Sequence, residues 1–207
     1  EDERENVVNG LIHDIVEVKA GHHSTGIHGN RYIYTVLAAN GKADLAHQIL
    51  TTPTFPSQTY VMNSGFTTWP ERQFVWEEMK GPTNSLNHPM HSGFAAYFYE
   101  SLGGIKSSAT QAGYQTFFVD PKFPTKLEST KVSVPTPHGA IKNEWVKKEG
   151  KVTMKLEIPF NTRATLPFTD IDKKSIQINA KTIEELNPNT SKALVLGSGS
   201  YVITLEL

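Results

Sequence analysis

The chain has 207 residues, 38% hydrophobic and 20% charged, with a formal net charge of -1, which fits one large or two small globular domains and gives no reason to expect nucleic acid or an anionic membrane as a partner. It contains no cysteine, so disulfides, thiolate metal sites and a Cys nucleophile are excluded. No apolar run approaches the roughly 18–20 residues of a membrane span, and the acidic start Glu1-Asp2-Glu3 is unlike a signal peptide and is what a fragment or processed piece would show.

The first half reads as helices. Val7, Val8, Leu11, Ile12, Ile15 and Val16 recur at helical spacing and predict one wide apolar face. A second helix is expected over 30–39 with Tyr32, Ile33, Val36 and Leu37 inward, stopped by Asn40-Gly41, because both residues tolerate the left-handed conformation. A third carries Leu45, Ala46, Ile49 and Leu50 on one face and ends before Pro53 and Pro56. A further helix is expected over 90–102, with Phe94, Ala95, Phe98 and Leu102 as its stripe and Gly103-Gly104 as its stop. Between them lie polar loops over 21–29, 51–65 and 80–89, long enough to suggest function.

The second half reads as strands. Val152, Met154, Leu156, Ile158 and Phe160 alternate with polar residues, which predicts one buried face. Glu149-Gly150 separates that strand from the run 141–147 and predicts a hairpin. Further short strands are expected over 115–119, 126–134, 175–178, 194–196 and 201–205, and such strands joined by Pro/Gly turns indicate an antiparallel sandwich with Trp145 in its core. Charge divides in the same place. Residues 1–105 hold six of the 20 Lys/Arg, eleven of the 21 Asp/Glu and seven of the eight His. The expected domains are therefore 1–105 and 106–207.

The residues that can carry chemistry cluster in the first half. The segment from Ser64 to Arg72 brings together Thr67, Thr68, Trp69, Glu71 and Arg72. A carboxylate beside an aromatic wall suits glycoside hydrolysis, whose transition state is cationic and whose substrate has apolar faces, although an exposed Glu–Arg pair at a helix start has the same appearance. His22, His23 and His28 share one loop, and His88 and His91 lie three residues apart before the next helix. They are open to three uses: solvated loop residues, sugar hydrogen-bond donors (His23 and His88 above all), or a metal, for which no Asp or Glu sits at ligand spacing. Asn87 is placed to hold a sugar hydroxyl. Trp69, Trp76 and Tyr60 suit either a core or a pocket wall. No motif requires a metal or a cofactor.

Taken in order, these motifs resemble those of bacterial inverting α-L-rhamnosidases. Gly21-His-His-Ser-Thr-Gly-Ile-His-Gly29, Asn40-Gly-Lys-Ala-Asp-Leu-Ala46 and the loop 51–60 are similar to successive segments of that family. Thr67-Thr68-Trp69-Pro70-Glu71-Arg72 resembles its Thr-Thr-x-Trp-Glu-Arg motif, and Ser85-Leu86-Asn87-His88 its Ser-Leu-Asn-His. Pro137-His-Gly-Ala-Ile, Asn143-Glu-Trp145, Ile158-Pro159, Ala164-Thr165 and Gly197-Ser-Gly-Ser-Tyr201 follow in the family's order. The resemblance implies an α+β two-part chain, with the last helices of an (α/α)6 toroid followed by a β-sandwich. It implies Glu71 as the general base and His88 as a sugar contact, with Asn87, Trp69, Arg72 and His23 as further substrate-binding candidates. Pro70 and Gln73 depart from the family, which commonly has Trp at both places, and this bears on which sugar or linkage is taken.

The family's general acid lies in an earlier Asp- and Gly-Trp-rich segment with no counterpart in these residues, and only four to five of the toroid's twelve helices are legible. The expected partners are therefore a rhamnose-containing oligosaccharide or glycoside and the rest of the chain's own catalytic domain. The expected parent is a bacterial enzyme, periplasmic or extracellular. Alternatives are a toroid glycosidase for another deoxy or uronic sugar, a non-catalytic carbohydrate-binding or structural module, and a His-rich metal-binding protein.

Overall fold

The computed structural model describes residues 2–72, 85–167, 175–179, 181–182 and 193–207. It divides into two compact units, Glu1–Tyr97 and Phe98–Leu207. Gln73, Trp76 and residues 80–84 of the expected loop 80–89 lie outside the described residues.

The first unit is helical. Helix α1 (Asp2–His13) runs into a π-helical turn, Asp14–Val18. Ala20 and Gly21 in left-handed conformation then end the run. The expected wide face is buried only at its end: Ile15 is inaccessible, whereas Val7 is 70% exposed and Val16 is also exposed. Helix α2 (Ile27–Ala39) starts three residues earlier than the pattern suggests. Its stop is Asn40-Gly41, with Gly41 at φ +73 and the Lys42 N–H donating back to the Leu37 carbonyl at 2.9 Å, the wrap that a left-handed residue permits.

The buried stripe of α2 is Asn30, Ile33, Tyr34, Leu37 and Ala38. Tyr32 and Val36, expected inward, are exposed, Tyr32 at 60%. The true stripe steps i, i+3, i+4, i+7 from Asn30, a polar residue that the apolar pattern passes over. Helix α3 (Ala43–Thr51) buries Ala46, Ile49 and Leu50 as expected. The loop expected over 51–65 contains a short helix, α4 (Gln58–Asn63), capped by Ser57, whose hydroxyl accepts from the Tyr60 N–H at 2.9 Å. A 3-10 segment, Pro89–Ala95, begins where a helix was expected at 90. It packs closely on α2, since a Cβ at Gly93 would stand 3.2 Å from Arg31 Cβ.

The second unit opens with a π-helical turn, Phe98–Leu102, and continues as two sheets. The larger consists of β3 (Ser129–Thr136), β4 (Gly139–Lys148), β5 (Lys151–Ile158), β10 (Gly199–Glu206), β7 (Gln177–Ile178) and β8 (Lys181–Thr182), adjacent in that order and antiparallel throughout. The smaller is ordered β1 (Ile105–Ser107), β2 (Thr116–Val119), β6 (Arg163–Leu166) and β9 (Leu194–Leu196). Its β2–β6 pair is parallel, so the sandwich is mixed rather than wholly antiparallel.

The β4–β5 hairpin turns at Glu149 and Gly150, both left-handed, as a two-residue turn requires. Phe117, Val119, Ala164, Leu166 and Leu196 of the smaller sheet meet Ile141, Trp145, Met154, Leu156, Ile203 and Leu205 of the larger in one core. Val152, Met154, Leu156 and Ile158 are buried as the alternation predicts. Phe160 is not: it is 86% exposed, because β5 ends at Ile158 and the chain turns through Pro159 and a left-handed Asn161. Trp145 donates its indole N–H to the Leu102 carbonyl at 2.8 Å, and Asn143 donates to the Gly103 carbonyl at 2.8 Å. That grip leads the chain past Gly104, where a Cβ would fall 2.2 Å from the Pro121 nitrogen.

Candidate active site

Residues 67–72 follow α4 and a left-handed Gly65 and lie against residues 85–91. The tie is mostly main chain. The Glu71 N–H donates to the Ser85 carbonyl at 2.9 Å, and the His88 N–H donates to the Trp69 carbonyl at 2.7 Å. The Thr68 hydroxyl donates to the Leu86 carbonyl. The His91 ring donates from Nδ1 to the Pro70 carbonyl at 2.6 Å. Every residue from Thr68 to Glu71 is therefore held to the second segment, so the two motifs form one double-stranded piece. The Trp69 ring meets the Phe94 ring edge-on, with centroids 4.8 Å apart, and helps to line a cleft of about 120 Å³ with Met62, Phe66, Thr67 and Thr68.

Exposure differs along this piece. Glu71 and His88 are half-buried, and Arg72 and Asn87 are exposed. Ser85 and Asn87 form a tight local turn, with the Asn87 N–H reaching the Ser85 hydroxyl at 3.3 Å. The His88 Nε2 atom is shielded and has no hydrogen-bond partner among the described residues.

Behind the piece lies a buried polar network that joins it to helix α2 and His23. Asn30 donates its amide to the His91 carbonyl at 2.6 Å. Gln58 donates to the Asn30 side-chain oxygen at 2.8 Å, and Tyr34 donates to the same oxygen at 3.4 Å. His23 is 1% exposed and meets the Tyr34 hydroxyl through Nε2 at 2.8 Å. Its Nδ1 faces the Thr25 N–H at 3.4 Å and the Thr25 hydroxyl at 2.9 Å.

An amide N–H can only donate, so His23 Nδ1 accepts and the proton sits on Nε2. A carbonyl can only accept, so His91 carries its proton on Nδ1. The His23 ring is neutral, since an accepting Nδ1 leaves room for one proton only. Burial lowers the His23 pKa to about 4, with His91 and His22 adding to the effect, and burial likewise lowers that of His91. Burial pushes the Tyr34 hydroxyl above its ordinary value. His23 thus stands inside the unit, joined to Pro70 through Tyr34, Asn30 and His91, rather than at a surface beside Glu71. The signal that could have revealed this network was polar spacing: Asn30 and Tyr34 are four apart on one helix face, with two histidines flanking them in sequence.

Residues 1–102 match the model described as the bacterial alpha-L-rhamnosidase 6 hairpin glycosidase domain. Residues 104–182 match the bacterial alpha-L-rhamnosidase C-terminal domain. An alpha-L-rhamnosidase of Formosa agariphila is 66% identical over 209 residues, which cover 98% of this chain and 22% of the relative. An alpha-L-rhamnosidase of Alteromonas sp. is 30% identical over 77% of this chain and 18% of its own length. Among solved structures, the alpha-L-rhamnosidase of Dictyoglumus thermophilum superposes with a TM-score of 0.87 at 26% identity, covering 100% of this chain and 24% of the other. The Streptomyces avermitilis alpha-L-rhamnosidase complexed with L-rhamnose gives 0.79 at 26% identity, over 96% and 19%. The chain spans about a fifth of the length of the curated relatives it matches.

Proposed function

This chain belongs to the bacterial α-L-rhamnosidase family, and we propose that it forms part of an enzyme that removes terminal α-L-rhamnose by a single, inverting displacement with Glu71 as general base. The observation that best supports this is the fixed geometry around Glu71: its own N–H, the Pro70 carbonyl and the Trp69 carbonyl are all engaged by residues 85–91. A general base must hold its oxygen within about 3 Å of the attacking water through the reaction, and a carboxylate on a free loop would sacrifice the advantage of orientation.

Inversion needs a second carboxyl as general acid, roughly 6.5–9.5 Å from the base, with the water between them. We assign that acid to residues of the enzyme outside this chain. Within the chain, Trp69 offers an apolar wall to a sugar face, and Arg72 and Asn87, both exposed, offer donors to its hydroxyls. His88 supplies a further ring nitrogen. His23, being buried, acts through Tyr34, Asn30 and His91 on the backbone that carries Glu71. Residues 1–105 are assigned to the catalytic toroid and 106–207 to the sandwich domain.

Replacing Glu71 by Gln in the full-length enzyme keeps the shape but removes the proton acceptor. The expected result is a fall in kcat of about 10²–10⁴-fold on an aryl α-L-rhamnoside, with the fold unchanged by circular dichroism. A kcat close to that of the wild type would refute the assignment.

A further inference from the structure

The second unit carries a cleft of about 560 Å³ where residues 111–116, 160–163 and 197–198 meet, a size typical of small-molecule sites, which run from about 300 to 1,000 Å³. Phe160 stands at its edge, and Gln111, Gln115, Thr116, Asn161 and Arg163 supply polar groups to its lining. Among the described residues Phe160 is the most exposed of the unit's large apolar side chains, at 86%. The ring stays out of the core because the chain turns at Pro159 and the left-handed Asn161 (φ 58).

The cleft is braced from beneath. The Arg163 N–H donates to the Gln115 carbonyl at 3.0 Å, and β2 and β6 pair at Thr116 and Arg163. Thr162, itself buried, donates its N–H to the Ser198 hydroxyl at 3.4 Å. The Thr116 hydroxyl donates to the Gln111 side-chain oxygen at 2.6 Å, which leaves the Gln111 amide N–H groups as donors. The three loops are thus stitched together, so the cleft exists before any ligand arrives.

Its chemistry narrows the ligand. Among the described residues no carboxylate lines it, so a metal cation or an amine is a poor fit. One guanidinium with six neutral polar side chains, counted among the described residues, suits neither a polyanion nor an apolar molecule. An exposed aromatic face bordered by planar amides, hydroxyls and one guanidinium matches a pyranose, which has a C–H face for stacking and a rim of hydroxyls that both donate and accept. We propose that this cleft is a saccharide-binding subsite of the sandwich, with Phe160 as its stacking platform and Gln111, Gln115, Asn161 and Arg163 as hydroxyl partners. It shares no residue with the Glu71 region and does not depend on the assignment of a general base.

The test is a titration of the 15N-labelled 207-residue chain with L-rhamnose and, separately, with D-galacturonate. Saturable shifts are expected in amides of residues 111–116, 160–163 and 197–198 with at least one probe, with a Kd on the order of millimolar. Phe160→Ala should weaken that binding about tenfold or more, and Phe160→Tyr should retain it. Phe160 packs on nothing that folding requires, so amide spectra of the free variants should match the wild type outside the turn. Absence of saturable shifts at the cleft with either probe overturns the proposal, as do shifts that Phe160→Ala leaves unchanged. Shifts confined to residues 69–71 and 85–88 would report on the first unit and would also count against the cleft.

Discussion

Acidification should loosen the helical unit through one histidine. His23 is buried, with its Nδ1 facing the Thr25 N–H and its Nε2 committed to Tyr34. Protonation would set a second N–H against the Thr25 donor and bury a charge near His91 and His22. The ring therefore titrates near 4 when folded, against about 6.5 unfolded. The unfolded chain takes up more protons across that interval, so the stabilisation is fully present above about pH 6.5 and is lost as pH falls towards 4. The gap corresponds to about 3 kcal/mol from His23 alone. The assay is urea unfolding of the chain followed by circular dichroism at 222 nm, a signal dominated by helix, with His23→Gln as the comparison. Gln cannot titrate, so the stability difference between the two proteins should shrink by about 3 kcal/mol between pH 7 and pH 4. Parallel pH profiles for the two would refute the reasoning, and so would a wild type that is more stable at pH 4 than at pH 7.

Other perturbations test the remaining links. In the full-length enzyme, His91→Phe keeps a ring but deletes the donor to the Pro70 carbonyl, and kcat should fall about tenfold or more with a smaller change in KM; an unchanged kcat would detach His91 from the placement of Glu71. Gly104→Ala and Gly150→Ala both alter left-handed residues, but only the first meets backbone, at 2.2 Å. Gly150→Ala should cost about 1 kcal/mol in urea unfolding, and Gly104→Ala about 3 kcal/mol or more. Equal costs would show that conformation alone, without the contact to Pro121, sets the requirement for glycine.

Much of the fold was legible because it follows from strong local periods. The alternation over 152–158 fixes which face of β5 is inside, and Glu149-Gly150 fixes the register of its hairpin, since Lys148 and Lys151 can pair only across a two-residue turn. The failures have separate causes. Phe160 extends the alternation in sequence after the strand itself has ended at Ile158. Tyr32 and Val36 look like a helix face only if Asn30 is taken for a surface residue. The parallel β2–β6 pair joins segments more than forty residues apart, and no local signal announces it. The Thr68–Glu71 and Ser85–His88 segments were visible through their side chains. What binds them together is hydrogen bonding to main-chain carbonyls, which leaves no pattern in composition, and a buried network reaching back to His23, whose one trace is the polar spacing of Asn30 and Tyr34.

The place of β10 in the larger sheet governs when that sheet can form. Residues 199–206 run between β5 and β7 and pair with β5 over its full length. During synthesis, β3, β4 and β5 leave the ribosome as a meander whose β5 edge stays open until residues 199–206 follow. Residues 1–97 lie wholly upstream of that strand and have no such wait. A ribosome that stalls or terminates shortly before residue 199 would therefore release a half-built sheet with an unpaired edge, a species suited to aggregation and to capture by chaperones.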